Sequence, residues 1–256
     1  FKAEFRCGKA RAEFQSTIPL LATTTRKELD AYLLKQAKNQ GAKFIQKQIN
    51  KADITATGAT FNYKHKGICF VAEVKTKTKL EQKVLIHYFF NNIKGYAWLF
   101  PKKRTASIGI GTYLPCKDPK ESFSKFVLYL KQESFLPKNI NPTPKIAPIP
   151  FSIRKEYSDN TAYIGDSAGF TVPKTGEGIF PAMLSGKLLA EAIWKWKELS
   201  KKAKKEYAKQ CRKILYPMLK PIPFPNRELT WKIAKHSIEK KIKKSLNQLV
   251  KSFFRI

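Results

Sequence analysis

Between Tyr163 and Ser185 the chain reads YIGDSAGFTVPKTGEGIFPAMLS, a run whose residue types suit an elongated ligand with polar groups along it. Asp166 follows a short apolar run and can accept a hydrogen bond from a sugar or polyol hydroxyl. A long helix is expected from near Gly178. Its first N–H groups and the positive end of its dipole stabilise negative charge, on a phosphate or on a reduced ring. A short strand ends at Gly165 and Asp166, and a glycine-bearing loop through Pro173 leads to that helix. Gly176 and Gly178 let a flat ring approach the backbone with no side chain in the way. A bare Gly-Asp pair would suit an ordinary loop, but the full string combines too many of these features for that.

A second stretch, GYAWLFPKKRTASIGIG, raises a different chemistry. Tyr96, Trp98 and Phe100 stand two apart, so on a strand they share one face, with Pro101 closing the run. The next strand ends in Gly109 and Gly111. Such an aromatic wall is either sheet core or a surface for an apolar ligand, and alternation alone does not choose.

The elements that must position these residues are legible from periodicity. TTTRKELDAYLLKQAKNQG predicts a helix over 23–41, with threonine caps, an apolar stripe of Leu29, Tyr32, Leu33 and Ala37, and Gly41 as its stop. AKFIQKQI and ADITATGA read as strands around a turn. Alternating runs over 61–74, 83–90, 96–100 and 105–113 predict an antiparallel sheet with basic turns. A helix fits 120–133, and the proline-rich FLPKNINPTPKIAPIPF reads as a non-helical connection. Basic helices follow the long helix. The last of them begins at Trp231 and repeats Ala234, Ile238, Ile242, Leu246, Leu249 and Phe253 at the helical period.

The chain of 256 residues is 43% apolar, enough for a buried core. Its formal charge of +31 draws it toward anionic membrane, nucleic acid or a phosphorylated ligand, or simply reflects a lysine-rich surface. Cys7, Cys69, Cys116 and Cys211 lie far apart, as do the three histidines, so no metal site is expected and a reducing compartment fits. No run of about twenty apolar residues is present to span a bilayer, and no signal peptide is expected.

The YIGDSAGFTVPKTGEGIFPAMLSG string resembles the second FAD-binding motif of flavoproteins of the p-hydroxybenzoate hydroxylase class. Within that class the chain resembles the geranylgeranyl reductase family. Its signature is Tyr-x-Trp-x-Phe-Pro, a spacer, then Gly-x-Gly, matched by Tyr96, Trp98, Phe100, Pro101, Gly109 and Gly111. RKELDAYLLKQAKNQGAKF is similar to the family's Arg-x-x-Leu/Phe-Asp helix, which implies that Arg26 lies near the FAD. RCGK is similar to its Cys-Gly element beside the active site, which makes Cys7 a proton donor or a buried structural thiol. The resemblance implies that Arg26, Gly165, Asp166, Pro173, Gly176, Gly178 and Ile179 bind cofactor. It implies that the aromatic strand lines a pocket for a polyprenyl chain.

The family's opening βαβ unit with Gly-x-Gly-x-x-Gly is not found here, and Phe1 lies close before RCGK. GATFNY also departs from the family's Gly-Ala/Asp-Gly-x-x-Ser. The expectation is a fragment or truncated product that keeps the ring side of the site. Its fold class is mixed α/β, with a three-layer FAD-binding domain incomplete at its N-terminus. The organisation expected is partial FAD domain over 1–60, antiparallel substrate sheet over 61–155, second FAD motif over 156–198, and basic helices over 199–256.

The function implied is FAD-dependent saturation of C=C bonds in geranylgeranyl chains, with NADPH or a ferredoxin-like carrier as electron donor. Isoprenoid lipid or prenyl diphosphate is the substrate class. A cytoplasmic location is expected, and the Trp231 helix either lies on the inner face of the membrane or packs on the domain. Two other readings stay open. One is hydroxylation or halogenation by a flavoprotein of the same class. The other is a non-catalytic basic module for membrane or nucleic acid, although no nucleic-acid motif is present.

Overall fold

The computed structural model describes residues 2–7, 10–15, 23–59, 63–64, 66–75, 83–88, 94–102, 105–154, 161–173 and 175–220. The strands are β1 (Lys2–Cys7), β2 (Ala10–Gln15), β3 (Ile54–Thr55), β4 (Lys66–Lys75), β5 (Lys83–Tyr88), β6 (Gly95–Pro101), β7 (Thr105–Tyr113), β8 (Lys145–Pro150) and β9 (Ala162–Tyr163). The helices are α1 (Arg26–Asn39), α2 (Pro119–Gln132), α3 (Ile179–Trp196) and α4 (Lys201–Ile214), with a 3-10 turn over Gly165–Ala168.

A seven-stranded sheet runs in the order β2-β1-β5-β6-β7-β4-β8. Its neighbours are antiparallel except for β1 and β5, which pair in parallel. Alternation decides which residues enter the core. Ala97 and Leu99 of β6, Ala106, Ile108 and Ile110 of β7, and Phe70 of β4 are buried against α2. On α2 the buried residues Ser122, Phe123, Phe126, Val127 and Leu130 form the helix stripe. Asp118 caps that helix by accepting from the Glu121 N–H at 2.8 Å, and Pro119 opens it. Arg6 of β1 is buried in the same layer, where it donates to Glu133 at 2.6 Å and to Glu4 and Tyr129. This cluster ties the first strand to α2.

A second core lies between α3, α4 and the turn over 165–168, centred on Phe170, Leu188, Leu189, Tyr207 and Leu215. β3 and β9 pair in parallel as a separate two-stranded sheet beside it. The arrangement is the mixed α/β fold expected, with an antiparallel sheet and packed helices.

Several expectations need correction. The AKFIQKQI strand is absent: 42–49 is irregular, with Phe44, Ile45 and Ile49 exposed. A strand exists only where a neighbour receives its N–H and C=O groups, and no described strand runs beside this segment. ADITATGA contributes only the two residues of β3. The connection rich in proline contains a real strand, β8, which occupies the sheet edge, where Pro148 and Pro150 cost little. The helix over 23–41 forms as α1 with a full capping box between Thr25 and Glu28, yet none of its residues is buried. The helix expected from Trp231 lies outside the described residues.

Candidate functional site

Three hydroxyl groups set the backbone of the turn that presents Asp166. The Tyr63 hydroxyl lies 2.6 Å from the Asp166 carbonyl and 2.9 Å from that of Ser167. Ser167 Oγ lies 2.8 Å from the carbonyls of Thr55 and Ile164. Ser185 Oγ accepts from the Gly165 N–H at 2.9 Å and donates to the Ala182 carbonyl at 2.9 Å. With the turn fixed, the Asp166 carboxylate accepts from Thr171 Oγ1 at 3.1 Å. Burial pushes its pKa up, while the Thr171 bond and the positive charge of Arg26 pull it back.

That carboxylate lies over the first turn of α3. A Cβ on Gly178 would come within 2.6 Å of Asp166 Oδ1, so no other residue fits there without moving the acid. Gly178 is also the helix N-cap and offers no side chain to the opening N–H groups. The result is an acceptor and a set of outward donors side by side, on a helix of 18 residues. Arg26, the first residue of α1, is mostly exposed and pairs with Asp30 at 3.1 Å, and its charge still reaches Asp166.

The aromatic wall forms on the sheet face away from α2. Ring centroids of Tyr96 and Trp98 are 5.9 Å apart, and those of Trp98 and Phe100 are 6.1 Å apart and stacked. All three are half-buried, whereas Ala97 and Leu99 between them are fully inside. The two glycines of the opposite strand prove unequal. A Cβ on Gly109 would stand 2.3 Å from Trp98 Cζ2 and 2.6 Å from the Phe70 carbonyl, so the fold itself requires glycine there. A Cβ on Gly111 would meet only Trp98 Cζ3 at 3.6 Å and Ile149 Cδ1 at 3.8 Å, which is ordinary contact. The second glycine is not needed by the packing.

Wall and loop are joined. Tyr113 donates to the Pro173 carbonyl at 2.8 Å, and Tyr96 donates to the Thr175 carbonyl. Burial pushes the Tyr113 phenol up to about 12, so it stays protonated and keeps donating. Ile149 Cδ1 lies 3.8 Å from the Cβ positions of both Gly111 and Gly176, bridging strand and loop. At the other end of the wall, Thr23 Oγ1 donates to the Pro101 carbonyl at 2.7 Å, which brings the start of α1 alongside. Inside the loop, burial raises the Glu177 carboxyl.

The structure therefore gathers Asp166, Gly178, Ile179, Pro173, Gly176 and the wall residues into one neighbourhood, with Arg26 acting on it by charge. Cys7 ends β1 in register with Tyr88, and its side chain, like Gly8, lies outside the described residues. Sequence reasoning missed Tyr63, Tyr113, Ile149, Thr171 and Ser185. Tyr113 had a signal, since it continues the wall face two residues beyond Gly111. Tyr63 lies in the GATFNY departure, where the mismatch hid it. Among the described residues no group of side chains could hold a metal ion. No described helix is long and apolar enough to cross a membrane.

No protein-family model matches the chain. A digeranylgeranylglycerophospholipid reductase of Methanocaldococcus jannaschii is 34% identical over 169 residues, covering 59% of this chain and 41% of that protein. The matches span about a quarter to two fifths of the length of the curated relatives. Among solved structures, a geranylgeranyl bacteriochlorophyll reductase-like protein from Thermoplasma acidophilum superposes with a TM-score of 0.62 at 16% identity, over 85% of this chain and 68% of that one. A probable FAD-dependent monooxygenase from Pseudomonas aeruginosa gives a TM-score of 0.57 at 13% identity, over 85% and 75%. The fold is shared with these flavoprotein structures, and the sequence is similar to digeranylgeranylglycerophospholipid reductases over part of their length.

Proposed function

We propose that this chain carries the ring-side half of an FAD site and the hydrocarbon pocket of a reductase that saturates C=C bonds of geranylgeranyl chains. The observation that carries the reading is the juxtaposition at Gly178, where a carboxylate and an uncapped helix start share a cradle that one methyl group would fill. Asp166 would hold a hydroxyl of the cofactor, and the α3 start would face the ring. When bound, reduced FAD supplies the hydride for the double bond.

This chain's own residues do the rest. An isoprenoid tail is recognised by apolar area alone, worth roughly 25 cal/mol per Å². Tyr96, Trp98 and Phe100 supply it from half-buried positions, and Gly111 leaves space over the wall that the fold does not use. An isolated alkene has no carbonyl to take up charge, so the pocket must be dry and a proton donor close. Cys7 is assigned that proton. Electrons arrive from NADPH or a ferredoxin-like carrier, and the basic C-terminal helices make peripheral contact with a membrane that holds the lipid substrate. Hydroxylation or halogenation fits less well, because the wall and its spare glycine suit a hydrocarbon.

The test is a visible spectrum of the 256-residue chain after incubation with FAD and desalting. A retained flavin spectrum is expected for the wild type. Gly178→Ala, which drives a methyl group against the Asp166 carboxylate, should lose it while keeping its circular dichroism. A wild-type chain that emerges colourless overturns the cofactor reading.

A further inference from the structure

The connection between α3 and α4 spans only residues 197–200, so the end of α3 and the start of α4 form one tip. Trp194 is 77% exposed and Trp196 37%, in a protein whose other large side chains near that corner are packed inside. Lys197 Nζ lies 4.5 Å above the Trp194 ring, and Trp196 has Lys195 at 5.8 Å and Lys202 at 5.3 Å. Surface tryptophans are costly to leave in water, and here one ring carries one lysine and the other two.

The placement of charge is a second, independent observation. The N-terminal turn of α4 carries Lys201 and Lys202 and no acid, although the helix dipole disfavours cations there. Ala203, Tyr207, Ala208 and Cys211 face α3, so the lysines are directed outward. Glu198 is the one carboxylate in the connecting turn. A sequence that keeps lysines where its own backbone opposes them is shaped for an external anion.

Shape selects which anion. Trp194 and Trp196 are two residues apart on a helix, so their rings splay to opposite sides of the α3 axis. A flat partner that approaches the tip end-on can meet both. A nucleic-acid strand would need rings stacked along a groove. A bilayer interface offers a plane of phosphates for lysines and a headgroup layer for indoles.

We propose that the tip of the α3–α4 hairpin, through Trp194, Trp196, Lys197, Lys201 and Lys202, is the surface with which this protein docks onto anionic membrane, Lys195 being paired with Glu206 at 3.6 Å. This deepens the peripheral contact proposed above by assigning it to a definite surface, and it is independent of the flavin.

The experiment is co-sedimentation of the full chain with vesicles of phosphatidylcholine, with and without phosphatidylglycerol. It is run on wild type, Trp194→Ala/Trp196→Ala and Lys201→Ala/Lys202→Ala, with circular dichroism melts as folding controls. Trp194, Lys201 and Lys202 are exposed, so their melts should not change, and Trp194→Ala alone is run beside the double variant because Trp196 is more than half covered. Wild type is expected to bind only the anionic vesicles, with a blue shift in tryptophan emission that the double tryptophan variant lacks. The lysine variant should lose about fivefold per lysine, roughly twenty-five-fold in all. Wild type that fails to sediment with anionic vesicles overturns both the contact and the surface. Wild type that binds while both variants bind equally well overturns the surface alone. Tighter retention on a DNA duplex at equal salt, lost in the same variants, overturns the membrane as the partner. The flavin spectrum is recorded on the same samples, so failure of the cofactor reading shows separately.

Discussion

Gly109 and Gly111 look equivalent in sequence and differ in what surrounds them. At Gly109 an added methyl meets both a ring and a backbone carbonyl, and the carbonyl cannot move aside. Gly109→Ala should therefore destabilise by about 1–3 kcal/mol through overpacking, visible as a lowered Tm. Gly111→Ala should leave the Tm near wild type, so a loss of lipid binding in that variant reports on the ligand. Asp166 carries a different signature. Its folded pKa stands above the unfolded one, so the native state holds the proton more tightly. Stability should fall as pH rises from the ordinary carboxylate range through the raised value, then level off. Asp166→Asn removes that penalty. Its Tm should exceed wild type at neutral pH and the gap should close on acidification, while flavin retention is lost. A gap independent of pH would count against burial as the cause. The acid and both glycines were readable in the sequence as residue types. What each glycine accommodates was not, because it depends on a ring from the neighbouring strand.

At the scale of elements, local signals were sufficient where they matched their surroundings. α1 and α2 form close to the expected ranges of 23–41 and 120–133, held at their starts by the Thr25–Glu28 capping box and by Asp118 and Pro119. The alternation over 96–113 carries β6 and β7 with the register that puts Trp98 opposite Gly109. Residues 42–49 have a strand's composition without a strand's neighbour, and β8 is a strand despite its prolines because it occupies the edge. Neither outcome is encoded in a window of eight residues. The tie between β7 and the loop at 173 was equally invisible, since it joins residues sixty apart. Tyr113→Phe should cost about 0.5–1.5 kcal/mol. The wild-type phenol ionises near 12 when folded and near its ordinary value of about 10 when unfolded, so stability should drop across that interval as pH rises. The variant should lack this drop. Ultraviolet titration should show one fewer of the ten tyrosines resisting ionisation.

For the molecule as a whole, the charge of +31 gave a sign without a place. The structure gives it one place at the hairpin tip, about 27 Å along α3 from Gly178 by helical rise. It also sets the aromatic wall and the Asp166 loop in contact, through two phenols and the Ile149 side chain. Such contact has a thermodynamic consequence. If filling the wall moves Tyr96 or Tyr113, the carbonyls of Thr175 and Pro173 move with them, and the loop's affinity for its own ligand changes. Reciprocity then requires that ligand to alter the wall's affinity by the same factor, in the same direction. A hydrocarbon too short to reach the double-bond position would still be felt at the loop. Under that condition two binding events that look like separate steps would form one coupled equilibrium, through the hydroxyl groups of Tyr96 and Tyr113.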